Sequence, residues 1–392
     1  MENFTFYSPT YFVFGKDSEN DAGKYVKRFG GSKVLLHFGG GSAIRSGLLD
    51  RVKKSLQKEG VSCVELGGVK PNPRSGLVYQ GIELCKKEKV DFILAVGGGS
   101  AIDSSKAIAA GVLHDGDFWD FYSGKAAIEK ALPIGTVLTI AAAGSEGSPD
   151  SVITKEDGMF KRGASGEALR AKFTIMNPAL TQTLPAFQSA CGITDIIAHL
   201  YERYLTNSVE VETTDRVIEA LLLSMIHEGP RVIADPNNYE ARANIMWAGM
   251  LAHNNCCGVG RSQDWTSHGI EHELSALYDC AHGAGLAVVM PAVFKYNLKH
   301  NPMRFAQAAV RVWGCQMNFE NPEETALEGI KRLQNFLVSI GMPKNFAELG
   351  AKEEDIEKLA HSCCYGDGGN GKVGGFVELG QKDVESIYRM ML

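Results

Sequence analysis

In the first half of the chain, short apolar runs are separated by longer stretches with helical periodicity. The runs at 34–38, 61–66, 91–96, 137–140 and 173–176 have the length and apolar character of strands. The run at 91–96 is apolar almost throughout, which is typical of a strand with both faces buried. Strands that alternate with helices predict a parallel sheet covered by helices.

From about Leu184 onward the pattern changes to long helical periods. The stretches 215–226 and 239–252 are rich in Ala, Leu, Met and Glu, and clear strand patterns disappear. Pro185 marks the change. We therefore predict an α/β domain at residues 1–184 and an all-α domain at residues 185–392. A chain of 392 residues is also longer than one ordinary core accommodates.

The composition excludes several classes of protein. Apolar residues make up 44% of the chain and charged residues 22%, as in a globular rather than a disordered protein. A net charge of −6 without a basic run speaks against nucleic-acid binding, which needs clustered Lys and Arg. The segment Met1–Thr10 lacks the pattern of a secretory signal, and no stretch has the roughly 18 uninterrupted apolar residues of a membrane helix.

The nine cysteines are scattered and show no CxxC spacing. An odd count without a regular framework indicates reduced thiols, so we expect a cytoplasmic location. A zinc site built on cysteine is the alternative, and no spacing supports it.

Two glycine-rich turns share one sequence and one context. The segment Gly39–Ile44 (GGGSAI) recurs at Gly97–Ile102, and each copy lies between an apolar run and a helical pattern. Such a turn lets the backbone approach a phosphate, while the following helix offers free N–H groups and the positive end of its dipole. Ser100 is predicted to be the N-cap of the second helix. The GxGxxG fingerprint is absent, so purely structural turns remain the alternative.

The residues after the run at 34–38 bear on the choice of dinucleotide. An acid at that point would bind the ribose 2′-hydroxyl of NAD, but the chain offers Gly39, Ser42 and Arg45 instead. An uncharged turn with a nearby Arg tolerates a 2′-phosphate. The sequence therefore favours NADP(H) over NAD(H).

Three short segments in the second half carry residues with metal-ligand spacing. Asp195 and His199 are four positions apart, which places both on one face of a helix. His268 and His272 repeat that spacing, and His282 follows beside small residues. One carboxylate and three imidazoles suit iron(II), zinc, nickel or manganese, and affinity alone does not choose among them. Any single histidine here could instead be a hydrogen-bonded core residue. The metal-site hypothesis therefore depends on Asp195, His199, His268 and His282 taken together.

The spacing of the last two histidines of the set constrains the path of the chain. Along one continuous helix, His268 and His282 would lie about 21 Å apart. Ligand atoms lie about 2–2.2 Å from the ion they share, so the chain must turn between the two residues. The segment 277–280 is the available break, and Gly283 and Gly285 would let the backbone pass close to its neighbours.

Taken together, these residues resemble the iron-containing (group III) alcohol dehydrogenases, and among them the butanol dehydrogenase and NADPH-dependent aldehyde reductase branch. The resemblance covers nearly the whole chain, and the combination of motifs is far more specific than any one of them. The motifs are GGGSxxDxxK from Gly97 to Lys106, AGSE at 143–146, LP at 184–185, GxxDxxxH from Gly192 to His199, QDWxxHxxxHEL from Gln263 to Leu274, and HG at 282–283.

The resemblance implies an N-terminal nucleotide-binding domain, a C-terminal helical domain, and an active site in the cleft between them. This two-domain plan is like that of dehydroquinate synthase. A homodimer and one divalent metal ion, most often iron, are also implied. The implied metal ligands are Asp195, His199, His268 and His282. The implied dinucleotide contacts are Gly39, Ser42, Asn72, Gly97, Gly98, Gly99, Ser100, Asp103, Thr139 and Lys161. Relatives with an uncharged residue at the Gly39 position tend to use NADP(H).

Two positions depart from the pattern of this family. Ala143 stands where many relatives carry Thr beside the cofactor, so one hydroxyl contact is in doubt. Asn177 stands where the family usually carries an acid, and we expect it to serve the local turn before Pro178. Neither residue belongs to the predicted metal set.

The predicted activity is hydride transfer between NAD(P)(H) and a short-chain alcohol or aldehyde such as butanol or butanal, with aldehyde reduction the expected direction. The metal would polarise the substrate oxygen, and the cofactor would carry out the redox step. His272, one helical turn from His268, is the candidate catalytic residue, either as a proton relay or as a group facing the nicotinamide. A supporting or core histidine is the alternative for His272.

Three other functions are compatible with parts of the pattern. A polyol dehydrogenase of the glycerol type would use the same residues and would prefer vicinal diols. A cyclase of the dehydroquinate synthase type would bind a phosphorylated acid and needs Lys and Arg in its cleft, whereas only Arg261 is near the histidine segments. A non-catalytic binding protein would hold the dinucleotide without turning it over, and the intact ligand spacing speaks against it.

Overall fold

The computed structural model describes residues 1–392, which form two compact units. The N-terminal unit comprises Tyr7–Leu184, and the C-terminal unit comprises Pro185–Leu392 together with Met1–Phe6. The units meet in sequence between Leu184 and Pro185, at the position where the hydrophobic pattern changes.

The first six residues differ from the expected ranges because they belong to the C-terminal unit. The Met1 amine donates to the carbonyl oxygen of Val209 at 3.0 Å, and the Glu2 amide donates to that of Gly260 at 2.9 Å. These bonds join positions far apart in sequence, which a hydrophobic pattern does not reveal.

The N-terminal unit contains eight strands. Six of them form a sheet in which every neighbouring pair is parallel, and the other two form an antiparallel hairpin. The strands are β1 (Tyr11–Phe14), β2 (Lys33–Gly39), β3 (Ser62–Val69), β4 (Phe92–Gly97), β5 (Ile134–Leu138), β6 (Asp150–Lys155), β7 (Phe160–Ser165) and β8 (Phe173–Met176). The order in the sheet is β1-β8-β5-β4-β2-β3, and β6 pairs with β7.

Helices cover both faces of this sheet. They are α1 (Ala22–Arg28), α2 (Ser42–Arg45), α3 (Leu48–Lys58), α4 (Ser75–Glu88), α5 (Gly99–Val112) and α6 (Trp119–Tyr122). Leu36 of β2 lies in one core with Val52 of α3, while its neighbour Leu35 lies in the opposite core with Ile108 of α5. Successive side chains of a strand point to opposite faces, so a strand buried on both faces is apolar at most of its positions.

The five predicted strands all occur, and β8 has the predicted bounds. β5 begins at Ile134 rather than at position 137. The prediction missed β1 and the β6–β7 hairpin. The hairpin turn contains Asp157-Gly158, with φ of 85° at Gly158. An Asp-Gly pair between alternating runs is a strong hairpin signal, and it was present in the sequence.

His37 places a polar ring in the middle of β2, where it is fully buried. Its Nδ1 lies 2.8 Å from the carbonyl oxygen of Leu66, and its Nε2 lies 2.8 Å from the hydroxyl of Ser104. Because a carbonyl only accepts, Nδ1 donates to Leu66, and in the neutral ring Nε2 accepts from Ser104. Burial lowers the pKa of His37 to about 4, against a smaller raising effect of the bond to Leu66.

The C-terminal unit is helical, as predicted. Its helices are α7 (Ala186–Tyr204), α8 (Glu212–Ala234), α9 (Tyr239–His253), α10 (Thr266–Tyr278), α11 (His282–Asn297), α12 (Pro302–Arg311), α13 (Pro322–Ser339), α14 (Phe346–Leu349), α15 (Ile356–Tyr365) and α16 (Gln381–Arg389). The predicted helical stretches 215–226 and 239–252 lie within α8 and α9. None of the helices combines the length and the apolar character needed to span a bilayer.

Replacing His37 with Gln is expected to make stability less dependent on pH between pH 6.5 and 4. The pKa of His37 is about 4 in the folded protein against 6.5 in the unfolded chain, so the unfolded chain binds an extra proton in this window. The contribution of the neutral His37 to the free energy of unfolding is therefore fully present above pH 6.5. About 3 kcal/mol of that free energy is lost as the pH falls to 4.

Urea unfolding of the wild type and H37Q, near neutral pH and near the lower end of the window, measures this difference. The wild type should lose more unfolding free energy on acidification than H37Q does. Equal losses in the two proteins would show that His37 is not the group responsible.

Candidate functional site

Three helices of the C-terminal unit bring one carboxylate and three imidazoles together. Asp195 and His199 lie one turn apart in α7, His268 lies in the first turn of α10, and His282 begins α11. The Oδ1 atom of Asp195 is 3.4 Å from Nε2 of His199, 3.5 Å from Nε2 of His268 and 3.7 Å from Nε2 of His282. The side chain of His282 is 25% exposed, and the other three are buried.

These atoms are spaced as if they shared a metal ion. A hydrogen bond from N–H to O spans about 2.7–3.2 Å. Oδ1 of Asp195 and Nε2 of His268 are buried and have no hydrogen-bond partner. Ligand atoms about 2.1 Å from an ion in tetrahedral geometry lie roughly 3.4 Å from one another. The residues present therefore fit a divalent cation of the kind that carboxylate and imidazole groups bind.

The four side chains are not equivalent. The ligand atoms of Asp195, His268 and His282 all lie within 4.8 Å of one another. His199 adjoins this group through Asp195, and the centroid of its ring is 4.5 Å from that of His268. The structure thus brings all four predicted ligands together, with His199 at the margin of the group.

The chain turns between His268 and His282, as their spacing requires. α10 ends at Tyr278, and Asp279 adopts the left-handed conformation with φ of 52°. α11 then begins at His282 and runs back past α10. The predicted break at 277–280 is confirmed.

Gly283 and Gly285 allow α11 to approach its neighbours closely. A Cβ atom on Gly283 would lie 2.1 Å from the backbone oxygen of Cys191 in α7. One on Gly285 would lie 2.6 Å from a carboxylate oxygen of Glu271 in α10. Any side chain here would push α11 away and displace His282 with it, because packed interiors have little room to adjust. The predicted role of these glycines is confirmed.

Two buried glutamates that the sequence reasoning missed support the imidazoles. Nδ1 of His268 is hydrogen-bonded to Glu202, and Nδ1 of His282 is hydrogen-bonded to Glu271. A carboxylate accepts, so Nδ1 carries a proton in each ring, and Nε2 is the nitrogen that faces Asp195 and can bind a metal ion. A signal was available in the sequence, because each glutamate follows a histidine of the set by three positions, on the same face of its helix.

The charges of the site shift its pKa values in the absence of a metal. Burial alone would raise the pKa of Asp195, but His282 and His268 outweigh it and hold this pKa below its ordinary value. Burial would likewise lower the pKa of His268, but Glu202 and Asp195 raise it to about 10. Burial and the neighbouring His253 keep the pKa of His199 well below its ordinary value. A divalent cation would thus supply the positive charge that Asp195 and Glu202 otherwise draw from a protonated His268.

His272 lies beside the metal set and is only partly buried. Its ring centroid is 5.8 Å from that of His282 and 6.3 Å from that of His268. Glu271, His272 and His282 also form a second group whose ligand atoms lie within 4.8 Å of one another. The position suits a residue that acts next to the ion, and the catalytic role of His272 stays a prediction.

In the N-terminal unit, the predicted dinucleotide contacts gather at one edge of the sheet. Gly39 ends β2, Gly97 ends β4, Thr139 follows β5 and Asn72 follows β3. These four strands are parallel neighbours, so their carboxyl ends lie side by side. The carboxyl edge of an open parallel sheet is where such folds bind ligands.

The second glycine turn opens α5, a helix of 14 residues. Gly97, Gly98, Gly99 and Ser100 are all partly exposed, so the first N–H groups of the helix can meet an anion. The first glycine turn is less favourable for binding an anion, because the helix that follows it, α2, begins at the exposed Ser42 and has only 4 residues.

The prediction that Ser100 caps α5 is wrong. The helix begins at Gly99, and Gly98 occupies the cap position without a side chain to contribute. The carbonyl oxygen of Gly98 accepts the amides of Ala101 and Ile102, at 3.0 and 3.2 Å. The helix therefore begins one residue before Ser100. Because the residue at the cap position is a glycine, no side chain there accepts a hydrogen bond from the first N–H groups of α5.

The remaining predicted contacts have partners within the unit. Lys161 of β7 donates to Oδ1 of Asn72 at 3.0 Å, and both residues are buried. Asp103 of α5 accepts from the hydroxyl of Ser145 at 2.5 Å and from the amide of Val152 at 3.0 Å. These bonds tie the hairpin to α5 and to the turn that follows β3. Contact of these residues with a dinucleotide stays a prediction.

The structure shows the contacts of Asn177 and Ala143, the two residues that depart from the family pattern. Asn177 accepts from the amide of Ala179 at 3.0 Å and donates to the buried Glu19 at 2.8 Å. It therefore serves the local turn as expected, and the amide can donate to Glu19 where an ionised acid could not. Ala143 lies against the second glycine turn, since a Cβ atom on Gly99 would be 3.2 Å from that of Ala143.

Both halves of the chain match protein-family models. Residues 9–178 match the model described as iron-containing alcohol dehydrogenase. Residues 189–392 match the model described as the C-terminal part of the Fe-containing alcohol dehydrogenase family. The two matches join near the boundary between the two units.

Relatives are similar over the full length of the chain. It is 42% identical over 392 residues, 100% of both chains, to the probable NADH-dependent butanol dehydrogenase 2 of Bacillus subtilis strain 168. It is 34% identical to the NADPH-dependent aldehyde reductase YqhD of Escherichia coli K12, over 92% of each chain. The crystal structure of NADH-dependent butanol dehydrogenase A from Thermotoga maritima is similar with a TM-score of 0.97 and 42% identity, covering 100% of this chain and 99% of that one.

Replacing Gly283 with Ala is expected to destabilise the C-terminal unit and to weaken metal binding together. The new methyl group would lie 2.1 Å from the backbone oxygen of Cys191, which cannot move without shifting α7. We expect a loss of about 3 kcal/mol in unfolding free energy, measured by denaturant unfolding.

The matched control is Gly229→Ala in α8. A Cβ atom there meets neighbours only at ordinary contact distances of 3.4 Å and more, so this variant should be at least as stable as the wild type. Equal stability of G283A and G229A would contradict the close approach of α11 and α7.

Proposed function

Because the chain belongs to the iron-containing alcohol dehydrogenase family, we propose that it interconverts a short-chain alcohol and its aldehyde, using a nicotinamide dinucleotide. The observation that carries this proposal is the buried carboxylate of Asp195, which faces three imidazole nitrogens at 3.4–3.7 Å. A core that only needed packing or hydrogen bonds would not leave Oδ1 of Asp195 and Nε2 of His268 buried without partners.

In this proposal Asp195, His199, His268 and His282 hold one divalent ion. When bound, the ion supplies Lewis-acid chemistry at the substrate oxygen. Glu202 and Glu271 keep the proton on Nδ1 of their histidines and so keep Nε2 available to the ion. Iron(II) is the metal we propose, following the family. Zinc, nickel and manganese suit the same donors.

The dinucleotide is proposed to lie along the carboxyl edge of the parallel sheet. The partly exposed turn from Gly97 to Ser100 and the start of α5 offer backbone N–H groups to its pyrophosphate. Gly39, Ser42, Asn72, Asp103, Thr139 and Lys161 are the further contacts that we propose. The dinucleotide supplies the redox chemistry, while the chain supplies binding and orientation.

We propose NADP(H) as the preferred form of the cofactor. β2 ends in three glycines and offers no carboxylate to bind a ribose 2′-hydroxyl or to repel a 2′-phosphate. Arg45 is exposed at the end of the short α2 and can balance the charge of a phosphate. The names of the relatives differ on this point, because the Bacillus and Thermotoga proteins are called NADH-dependent and YqhD NADPH-dependent.

A short, uncharged aldehyde is the substrate we propose, with reduction as the direction. Support comes from the relatives, two of which are named butanol dehydrogenases and one an aldehyde reductase. His272 is proposed to pass a proton to the substrate oxygen as the aldehyde is reduced. Its ring is partly exposed and lies next to the rings of His268 and His282, as this role requires.

We further propose that the protein is a homodimer in the cytoplasm. β1 is an edge strand and exposes Tyr11 and Phe14, each by 42%, which suits pairing with a second copy. All nine cysteines are free thiols, which suits a reducing compartment. Light scattering tests the dimer: twice the mass of one chain supports it, and a single mass contradicts it.

The protein loaded with iron(II) or zinc is expected to oxidise NADPH when butanal is added, and more efficiently than it oxidises NADH. Loss of reduced nicotinamide absorbance measures the rate, and an EDTA-stripped sample is the control. Activity that disappears on stripping and returns with the metal supports the proposal. With metal bound, failure to turn over any short aldehyde or diol would contradict it, and a higher kcat/KM for NADH would overturn the cofactor assignment alone.

Replacing His272 with Ala is expected to leave the metal in place and to lower kcat by on the order of 100-fold, the usual contribution of a positioned proton donor. Metal content by mass spectrometry and steady-state rates measure the two effects. His227→Ala, at an exposed histidine of α8, is the control and should change neither. Loss of the metal from H272A would instead assign His272 to the group that holds the ion.

A further inference from the structure

The three imidazoles of the metal set differ in what lies at their second ring nitrogen. Nδ1 of His268 is bonded to Glu202, and Nδ1 of His282 is bonded to Glu271. Nδ1 of His199 is buried and has no hydrogen-bond partner. Two of the three rings are therefore supported by a carboxylate, and the third is not.

The two supporting carboxylates are themselves held in place. Glu202 is 1% exposed, and its second oxygen accepts the backbone amide of His268 at 3.0 Å. Glu271 is fully buried, and its second oxygen accepts the hydroxyl of Ser275. Each glutamate also joins two helices, since Glu202 in α7 supports a ring from α10 and Glu271 in α10 supports a ring from α11. Neither carboxylate can turn away from its histidine without breaking a second bond.

This difference has a direct effect on ligand strength. A carboxylate at Nδ1 fixes the orientation of the ring and makes its Nε2 a better donor to a metal. A ring that binds a metal through Nε2 and has no acceptor for its Nδ1–H keeps a buried polar group unsatisfied, which costs about 1–3 kcal/mol. His199 should therefore hold an ion less strongly than His268 or His282.

The surroundings of His199 point the same way. Its ring packs 4.1 Å from that of His253, and Nδ1 of His253 accepts from the guanidinium of Arg203 at 2.8 Å. Arg203 also donates to the backbone oxygen of His199 at 2.9 Å. A buried positive charge thus lies on the His199 side of the site, where it opposes a cation. The compact group of ligand atoms contains Asp195, His268 and His282 without His199.

We propose that Asp195, His268 and His282 are the permanent ligands of the ion and that His199 is an exchangeable fourth ligand. Glu202 and Glu271 are the positioning residues that create this order. The inference rests on the proposed function, because it ranks the ligands of the metal centre assigned there. It predicts that the loss of His199 weakens metal binding less than the loss of His268 or His282, although His199 belongs to the same sequence motif as Asp195.

The test is the affinity of the purified protein for Zn(II), measured by competition with a chromophoric chelator. We expect H268A and H282A to weaken binding by about 100-fold or more, and H199A by less than about 10-fold. His227→Ala is the matched control, because it removes an exposed histidine from the same unit. Circular dichroism of the metal-free proteins identifies any variant that does not fold.

A second measurement leaves all four ligands in place. Glu202→Gln and Glu271→Gln should each weaken Zn(II) binding by about 10- to 100-fold, whereas Glu240→Gln, at an exposed position of α9, should not. In the Co(II)-loaded protein, the visible absorption of H199A should show a changed coordination with the metal still bound.

The outcomes separate this inference from the proposed function. Absence of Zn(II) binding by the wild type would overturn the metal centre and with it the proposed function. Binding by the wild type, together with an equal loss in H199A, H268A and H282A, would overturn only the ranking of the ligands. Unchanged binding in both E202Q and E271Q would show that the carboxylates do not create it.

Discussion

A buried carboxylate is stable only where positive charge or hydrogen bonds replace the water it has lost, and the C-terminal unit buries three of them in one place. Asp195, Glu202 and Glu271 surround the imidazoles of His268 and His282, and none of the three is more than 4% exposed. Without a metal ion, a proton on His268 balances part of this negative charge, because Glu202 and Asp195 raise the pKa of His268 to about 10. A divalent cation at Asp195 would satisfy them together, and the arrangement of the unit follows from this requirement.

The helices of the unit are placed so that this arrangement is possible. Asp279 takes the left-handed conformation that lets α11 turn back after α10. Gly283 then allows α11 to lie against the backbone of α7 at Cys191, closer than any side chain would permit. The glutamates contribute to the same packing, because Glu202 bonds α7 to α10 and Glu271 bonds α10 to α11. The groups that prepare the site thus also hold the helices together.

Much of this was accessible from sequence because it depends on local spacing. Residues four positions apart share a helix face, so Asp195 and His199 could be paired without a structure, and the separation of His268 from His282 required a turn. The apolar runs located five strands of the parallel sheet for a similar reason, since burial on both faces leaves few polar positions. The family resemblance added the dinucleotide contacts, which spacing alone does not define.

Features that depend on tertiary contacts were missed or mistaken. Glu202 and Glu271 are at suggestive positions, but only the crossing of three helices shows which ring each supports. Ser100 is a good cap by residue type, yet the helix begins at Gly99 because the carbonyl of Gly98 closes the first turn. Met1–Phe6 joins the C-terminal unit through backbone bonds that have no signature in the sequence.

In this description of the C-terminal unit, one divalent ion lies among Asp195, His268 and His282. Diffraction from crystals grown with iron(II), with data collected on both sides of the iron absorption edge, tests it most directly. We expect a single strong anomalous peak in each chain, about 2–2.3 Å from Oδ1 of Asp195 and from Nε2 of His268 and His282. A fully loaded crystal with no peak there, or with its peak between Glu271 and His272 instead, would contradict it.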